Sequence, residues 1–148
     1  MPLCERGTIL SDMYEIFEHT ADLGLRIRAA DLPTLFADAG RGLTSIIAAN
    51  LDEIRPVTEV PLRVTGGRLD LILFDWLSEI LYLFESEHLL LAQFDVRFAD
   101  DVLQATAHGE PLDEARHQLE HEVKAITYHG LKVEPTPDGW LAEVIVDI

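Results

Sequence analysis

The chain has 148 residues (16.6 kDa), the size of one ordinary domain, and 48% of them are hydrophobic, enough to build a core. Eleven basic against 27 acidic residues leave a formal charge of −16, which protonating all six histidines does not reverse. This composition argues against a disordered or fibrous chain, and against direct tight binding to nucleic acid, which needs cations to displace phosphate counterions.

The single cysteine, Cys4, has no partner for an intramolecular disulfide, which suits a reducing compartment. No apolar run follows the start, so no signal peptide is expected. The richest apolar stretch, Leu69 to Phe84, is broken by Asp70, Asp75 and Glu79 and is too charged and short to cross a bilayer. The expectation is a cytoplasmic protein without a membrane contact. Nine of the basic residues are arginines, and the two lysines are Lys124 and Lys132.

Residues 1–13 carry no usable periodicity and read as a flexible N-terminal extension, or an upstream start carried along; 14–148 read as the domain. Tyr14–His19 is an expected strand, joined through Thr20-Ala-Asp22 to Leu23–Ala29, whose period-two alternation marks a strand with one buried face. Leu35, Phe36, Ala39, Leu43, Ile46 and Ile47 trace an amphipathic helix, with Asp31 and Pro33 as its start signal. Val57–Thr65 follows as a strand in which Pro61 marks an edge or bulge. After a Gly66-Gly67 turn, the stripe from Leu69 through Trp76 to Phe84 predicts a second helix. Phe94–Phe98 and Val102–Ala107 form a hairpin around Asp100-Asp101. Pro111–His121 is a polar connection with a helical turn. Val123–Val133 and Trp140–Val146 are read as a last hairpin turning at Pro137-Asp138-Gly139. The order is ββαβα followed by four strands: an α+β single domain with two amphipathic helices on mainly antiparallel sheet.

The sequence has no phosphate-binding glycine loop, dinucleotide fingerprint or nucleophile elbow. His117 and His121, four residues apart, have half a zinc-site spacing but no further partners, and read as solvated surface histidines. Asp22, beside His19 between the first two strands, and Asp147 near the end of the last strand are better placed. If those strands are neighbours, Asp22, Asp147 and the α-carboxylate of Ile148 converge at one rim. Three such groups stay ionised together only with a cation, and oxygen donors suit calcium, magnesium or manganese. Solvated carboxylates at strand ends are the competing reading.

The residues also carry a resemblance. Phe17-Glu-His-Thr-Ala-Asp22-Leu-Gly-Leu resembles the N-terminal signature of the archease family, and Leu77-Ser-Glu-Ile-Leu-Tyr-Leu-Phe-Glu85 its central helix. Gly109-Glu, Arg116-His117, Glu122-Val-Lys-Ala-Ile-Thr-Tyr-His-Gly-Leu131, Trp140 and Val144-Ile-Val-Asp147-Ile148 are similar to its C-terminal block. The likeness runs in order from Tyr14 to the last residue.

The resemblance implies an accessory protein of the RtcB-type RNA ligase of tRNA splicing and RNA repair, not a stand-alone enzyme. Such a protein promotes guanylylation of a ligase histidine by GTP, restores the ligase for further turnovers and widens its nucleotide use. The resemblance further implies a divalent metal bound by Asp22, Asp147 and Ile148 and a functional Lys124. His19, His117 and His129 are candidates for the residues around those ligands. His121 has no counterpart in the family pattern and stays a surface residue. The charge of −16 then complements a basic ligase surface. Two other classes remain open: a metal-dependent hydrolase or phosphatase acting alone through Asp22, His19 and Asp147, and a chaperone-like acidic interaction module. Oligomeric state is not legible in the sequence.

Overall fold

The computed structural model describes residues 9–10, 14–19 and 22–148, and of residues 9, 10 and 19 the backbone alone. Cys4, the Thr20-Ala21 junction and the rest of the N-terminal extension lie outside the described residues. A strand that was not expected, β1 (Ile9–Leu10), pairs with the expected β2 (Tyr14–His19) through Ile9↔Ile16 and Leu10↔Glu15. β2 pairs in turn with β3 (Asp22–Ala29).

The first helix, α1 (Leu32–Ile47), starts where the sequence places it. Asp31 accepts a hydrogen bond from the Thr34 N–H at 2.8 Å, and Pro33 fits the first turn, where no helical donor is lost. It is followed by β4 (Ala48–Ala49), a 3-10 turn at Leu51–Glu53 and β5 (Thr58–Thr65). The second helix, α2 (Leu69–Glu87), ends at His88 in the left-handed region. Then come β6 (Leu89–Ala99), β7 (Val102–Pro111), β8 (Gln118–Leu119), β9 (Ala125–Ile126), β10 (Lys132–Thr136) and β11 (Gly139–Asp147).

Two sheets enclose the helices. One runs β1-β2-β3-β11-β10, with β9 also on β11; the other runs β5-β7-β6, and β4 pairs with β8 apart from both. Every pairing among the described residues is antiparallel. Pro61 sits on β5, an edge strand, where its missing N–H costs little. α1 is buried on both flanks: Gly42 backs onto Leu25 of β3, and Gly40 onto Phe94 of β6 and Ile80 of α2. Trp76 of α2 is fully buried and donates its indole N–H to the Phe36 carbonyl at 2.8 Å, satisfying its one polar atom inside the core.

The α+β class, the two helices and the antiparallel pairing agree with the sequence. One strand does not: the expected Val123–Val133 is only Ala125–Ile126 and, after a turn, Lys132–Thr136. Gly130 adopts φ 67°, and the Leu131 N–H closes a turn on the Tyr128 carbonyl at 3.2 Å. A left-handed glycine inside the alternating run breaks the strand that the alternation suggests.

Candidate functional site

β3 and β11 pair without a break from Trp140↔Ala29 to Asp147↔Asp22. Leu23, Leu25 and Ile27 on one strand and Ala142, Val144 and Val146 on the other are all buried. With a period of two, that fixes Asp22 and Asp147 on the opposite face of the sheet. Directly opposed residues of an antiparallel pair hold their Cβ atoms roughly 4.5–5.5 Å apart, so two like charges face each other at one end of the sheet. No ion pair reaches either carboxylate among the described residues.

The rows behind them on this face are filled differently. Gly24 lies opposite both Phe17 and Ile145. The Phe17 ring occupies the space over Gly24, where an added Cβ would stand 2.1 Å from the ring edge. In the next row Arg26 lies 4.7 Å above the Phe17 ring centroid and bridges Glu143 at 2.5 Å and Glu15 at 3.4 Å. Glu143 and Glu15 hold its guanidinium above the ordinary range. Arg26 is therefore committed to its own row, and the aromatic ring separates it from the two aspartates.

The other edge of Asp147 carries the lysine segment. Ala125 of β9 is its register partner there, and the Lys124 N–H donates to the Asp147 carbonyl at 2.7 Å. Thr127 extends the attachment, its N–H and hydroxyl both donating to the Ile145 carbonyl at 3.0 and 2.9 Å. The Lys124 backbone is thus fixed to the last strand while its side chain is exposed. Ile148 follows Asp147 half-buried, packed on the core. Asp22, Asp147, Ile148 and the Lys124 backbone are brought to one rim. Among the described residues, no group of three or more His, Cys, Asp or Glu side chains is arranged to hold a metal.

The histidines separate. His19 takes the register position opposite Asp22. His129 and His121 are exposed. His117, expected at the surface, is instead 6% exposed and belongs to a buried polar cluster that sequence reasoning missed. Its Nδ1 accepts the Asp113 N–H at 2.9 Å, which leaves Nε2 to donate to Glu110 at 2.9 Å, so both ring nitrogens have partners. Glu110, 2% exposed, also accepts from Arg116 at 2.5 Å and from the Arg55 N–H at 2.8 Å and Nε at 3.3 Å. Arg116 above all, helped by the Arg55 N–H and His117, holds this carboxyl far below the usual carboxylate range despite its burial. The only sequence signal was the Gly109-Glu and Arg116-His117 pairs, whose partnership spans the loop from Leu112 to His117. His117 makes its contacts with this cluster and not with Asp22 or Asp147.

The sequence model of the Archease protein family matches residues 14–148. The chain belongs to the archease family. The archease of Pyrococcus furiosus is 36% identical over 140 residues, covering 91% of this chain and 98% of that one. The archease of Methanopyrus kandleri is 37% identical over 139 residues, with 91% and 99% covered. Among solved structures, protein 1598 of Methanobacterium thermoautotrophicum superposes with a TM-score of 0.81 at 29% identity, covering 91% of this archease and 98% of that chain. A Thermotoga maritima protein described as an archease and possible chaperone shares the fold, with a TM-score of 0.64 at 22% identity over 89% and 94% of the two chains. Among the described residues of this archease, no helix is long and apolar enough to cross a membrane.

Proposed function

We propose that this archease activates an RtcB-type RNA ligase of tRNA splicing and RNA repair, promoting GTP-dependent guanylylation of the ligase and its multiple turnover. The observation that carries the reading is the Asp22↔Asp147 register pair, with the Lys124 N–H on the Asp147 carbonyl, in a chain of −16 charge. Two opposed carboxylates that no ion pair reaches among the described residues fit a divalent ion. Among the described residues two acidic side chains meet there, so the third donor in this reading is the α-carboxylate of Ile148. All are hard oxygen donors, suited to calcium, magnesium or manganese.

A bound divalent ion would supply neutralisation of phosphoryl charge. The chain's own residues have separate tasks. Asp22, Asp147 and Ile148 hold the ion at the rim. Lys124, with its backbone pinned to β11 and its side chain in solvent, reaches a phosphate or an acidic group of the ligase. The ion pairs of Arg26 with Glu15 and Glu143 keep that guanidinium from neutralising the aspartates. The acidic surface steers docking onto a basic, RNA-binding ligase in the cytoplasm, and keeps the archease itself off RNA.

The test is ligation turnover by limiting cognate ligase with GTP, with and without this protein. The expected result is a gain in turnovers that disappears with a chelator that strips the archease, and in a chain extended beyond Ile148. No gain with any of the three metals would reject the reading. Nucleotide or phosphoester turnover by the archease alone would favour the hydrolase class instead.

A further inference from the structure

A second feature lies on different elements from the Asp22–Asp147 rim. α1, the 3-10 turn and β6 line a cleft, open on one side, of about 370 Å3. This is within the range of about 300–1,000 Å3 usual for ligand pockets. Its polar lining is Asp38 and Arg41 of α1, Asp52 of the turn and Gln93 of β6; Leu51, Ile54 and Phe94 supply apolar wall. β6 bulges here, its register with β7 slipping between Leu91 and Gln93, the kind of irregularity that re-aims side chains.

Asp38 decides what the cavity is for. It is 6% exposed, and no hydrogen bond or ion pair from the described residues satisfies its carboxylate. Buried polar atoms in folded chains nearly always have a donor or acceptor, and a carboxylate facing open volume is left for a donor from outside. Burial pushes the Asp38 carboxyl above its ordinary range; Arg41 opposes that rise and Asp31 adds to it. The described charged lining, Asp38 and Asp52 with Arg41, sums to one negative charge when both carboxylates are ionised, which a guest with one positive charge balances. An apolar wall above a buried carboxylate matches an alkyl stem ending in N–H donors. A guanidinium fits better than an ammonium because its planar fork meets both carboxylate oxygens.

We propose that this cavity receives an arginine side chain of the basic partner protein, its guanidinium seated on Asp38 and its stem against Leu51, Ile54 and Phe94. The assignment of the guest to a partner rests on the ligase-docking reading; the cavity's preference for a guanidinium does not.

The test has two arms. In the first, the Asp38 carboxyl carbon of the isolated protein is titrated by NMR with n-butylguanidinium, and with uncharged n-butylurea as control. The expected result is a fall of the Asp38 midpoint by about one pH unit at roughly 50 mM butylguanidinium, and none with butylurea. An unmoved midpoint, or equal effects of the two compounds, overturns the site. In the second arm, Asp38→Asn lowers affinity for the cognate ligase by about tenfold or more, with a melting temperature at or above that of the parent. Unchanged affinity overturns the assignment to the partner. If the parent chain does not bind the ligase, the docking reading fails, and the butylguanidinium titration still decides the cavity.

Discussion

Glu110→Gln isolates the buried cluster that joins the Leu112–His117 loop to the segment after the 3-10 turn. The substitution keeps the shape of the side chain but removes its charge. It leaves Arg116 with a neutral acceptor at a site where Glu110 is 2% exposed and collects four hydrogen bonds. Arg116 is a third exposed and keeps Asp113 as a second partner, so the loss is that of charge-assisted hydrogen bonding at the buried Glu110, about 1.5–3 kcal/mol. At about 2–4 °C per kcal/mol for a chain of this length, the melting temperature falls by about 3–12 °C. The pH dependence has a definite sign. The Glu110 carboxyl is depressed in the folded state, so its contribution is complete above the unfolded carboxylate value of about 4.3 and is lost as the pH falls below it. Thermal melts followed by circular dichroism from neutral pH down to about pH 3 should therefore show the gap between parent and Glu110→Gln narrowing below about pH 4.5. A variant that melts within about 2 °C of the parent at neutral pH, or a gap that widens in acid, would refute the reasoning.

Gly24→Ala drives a Cβ into the Phe17 ring and should cost about 1–3 kcal/mol by overpacking, read as a lowered melting temperature with loss of the Arg26 contact over the ring in a crystal structure. Asp22→Asn removes one of two directly opposed like charges; without metal it should melt at or slightly above the parent, while losing the rise that calcium, magnesium or manganese gives the parent. Lys124→Ala, at an exposed side chain, should leave the melting temperature within about 2 °C and yet lower ligase stimulation at least tenfold. A purely structural role for the lysine predicts the opposite pattern.

What the sequence revealed follows from how local each feature is. The α2 stripe and the β3 alternation are periodic signals within one segment, and both elements appear where the periodicity puts them. The aspartates were legible as candidates because they end strands, but their pairing depends on β3 lying beside β11, more than 110 residues later in the chain. The resemblance, not the spacing, raised them above ordinary surface carboxylates. The buried state of His117 was not legible: its environment is made by Glu110 and by a loop without regular periodicity. The same holds for Asp38, whose polar character predicts an exposed helix face. α1 is enclosed by sheet on both sides, and a helix packed that way buries residues which an amphipathic pattern assigns to solvent.

The most direct measurement is the yield of guanylylated ligase, formed from limiting GTP and metal, with the parent archease, with Asp22→Ala and with Lys124→Ala. Ligase activation through the rim of β3 and β11 predicts abundant adduct with the parent and background levels with both variants, each folded as judged by its melt. Equal adduct with all three proteins would contradict it.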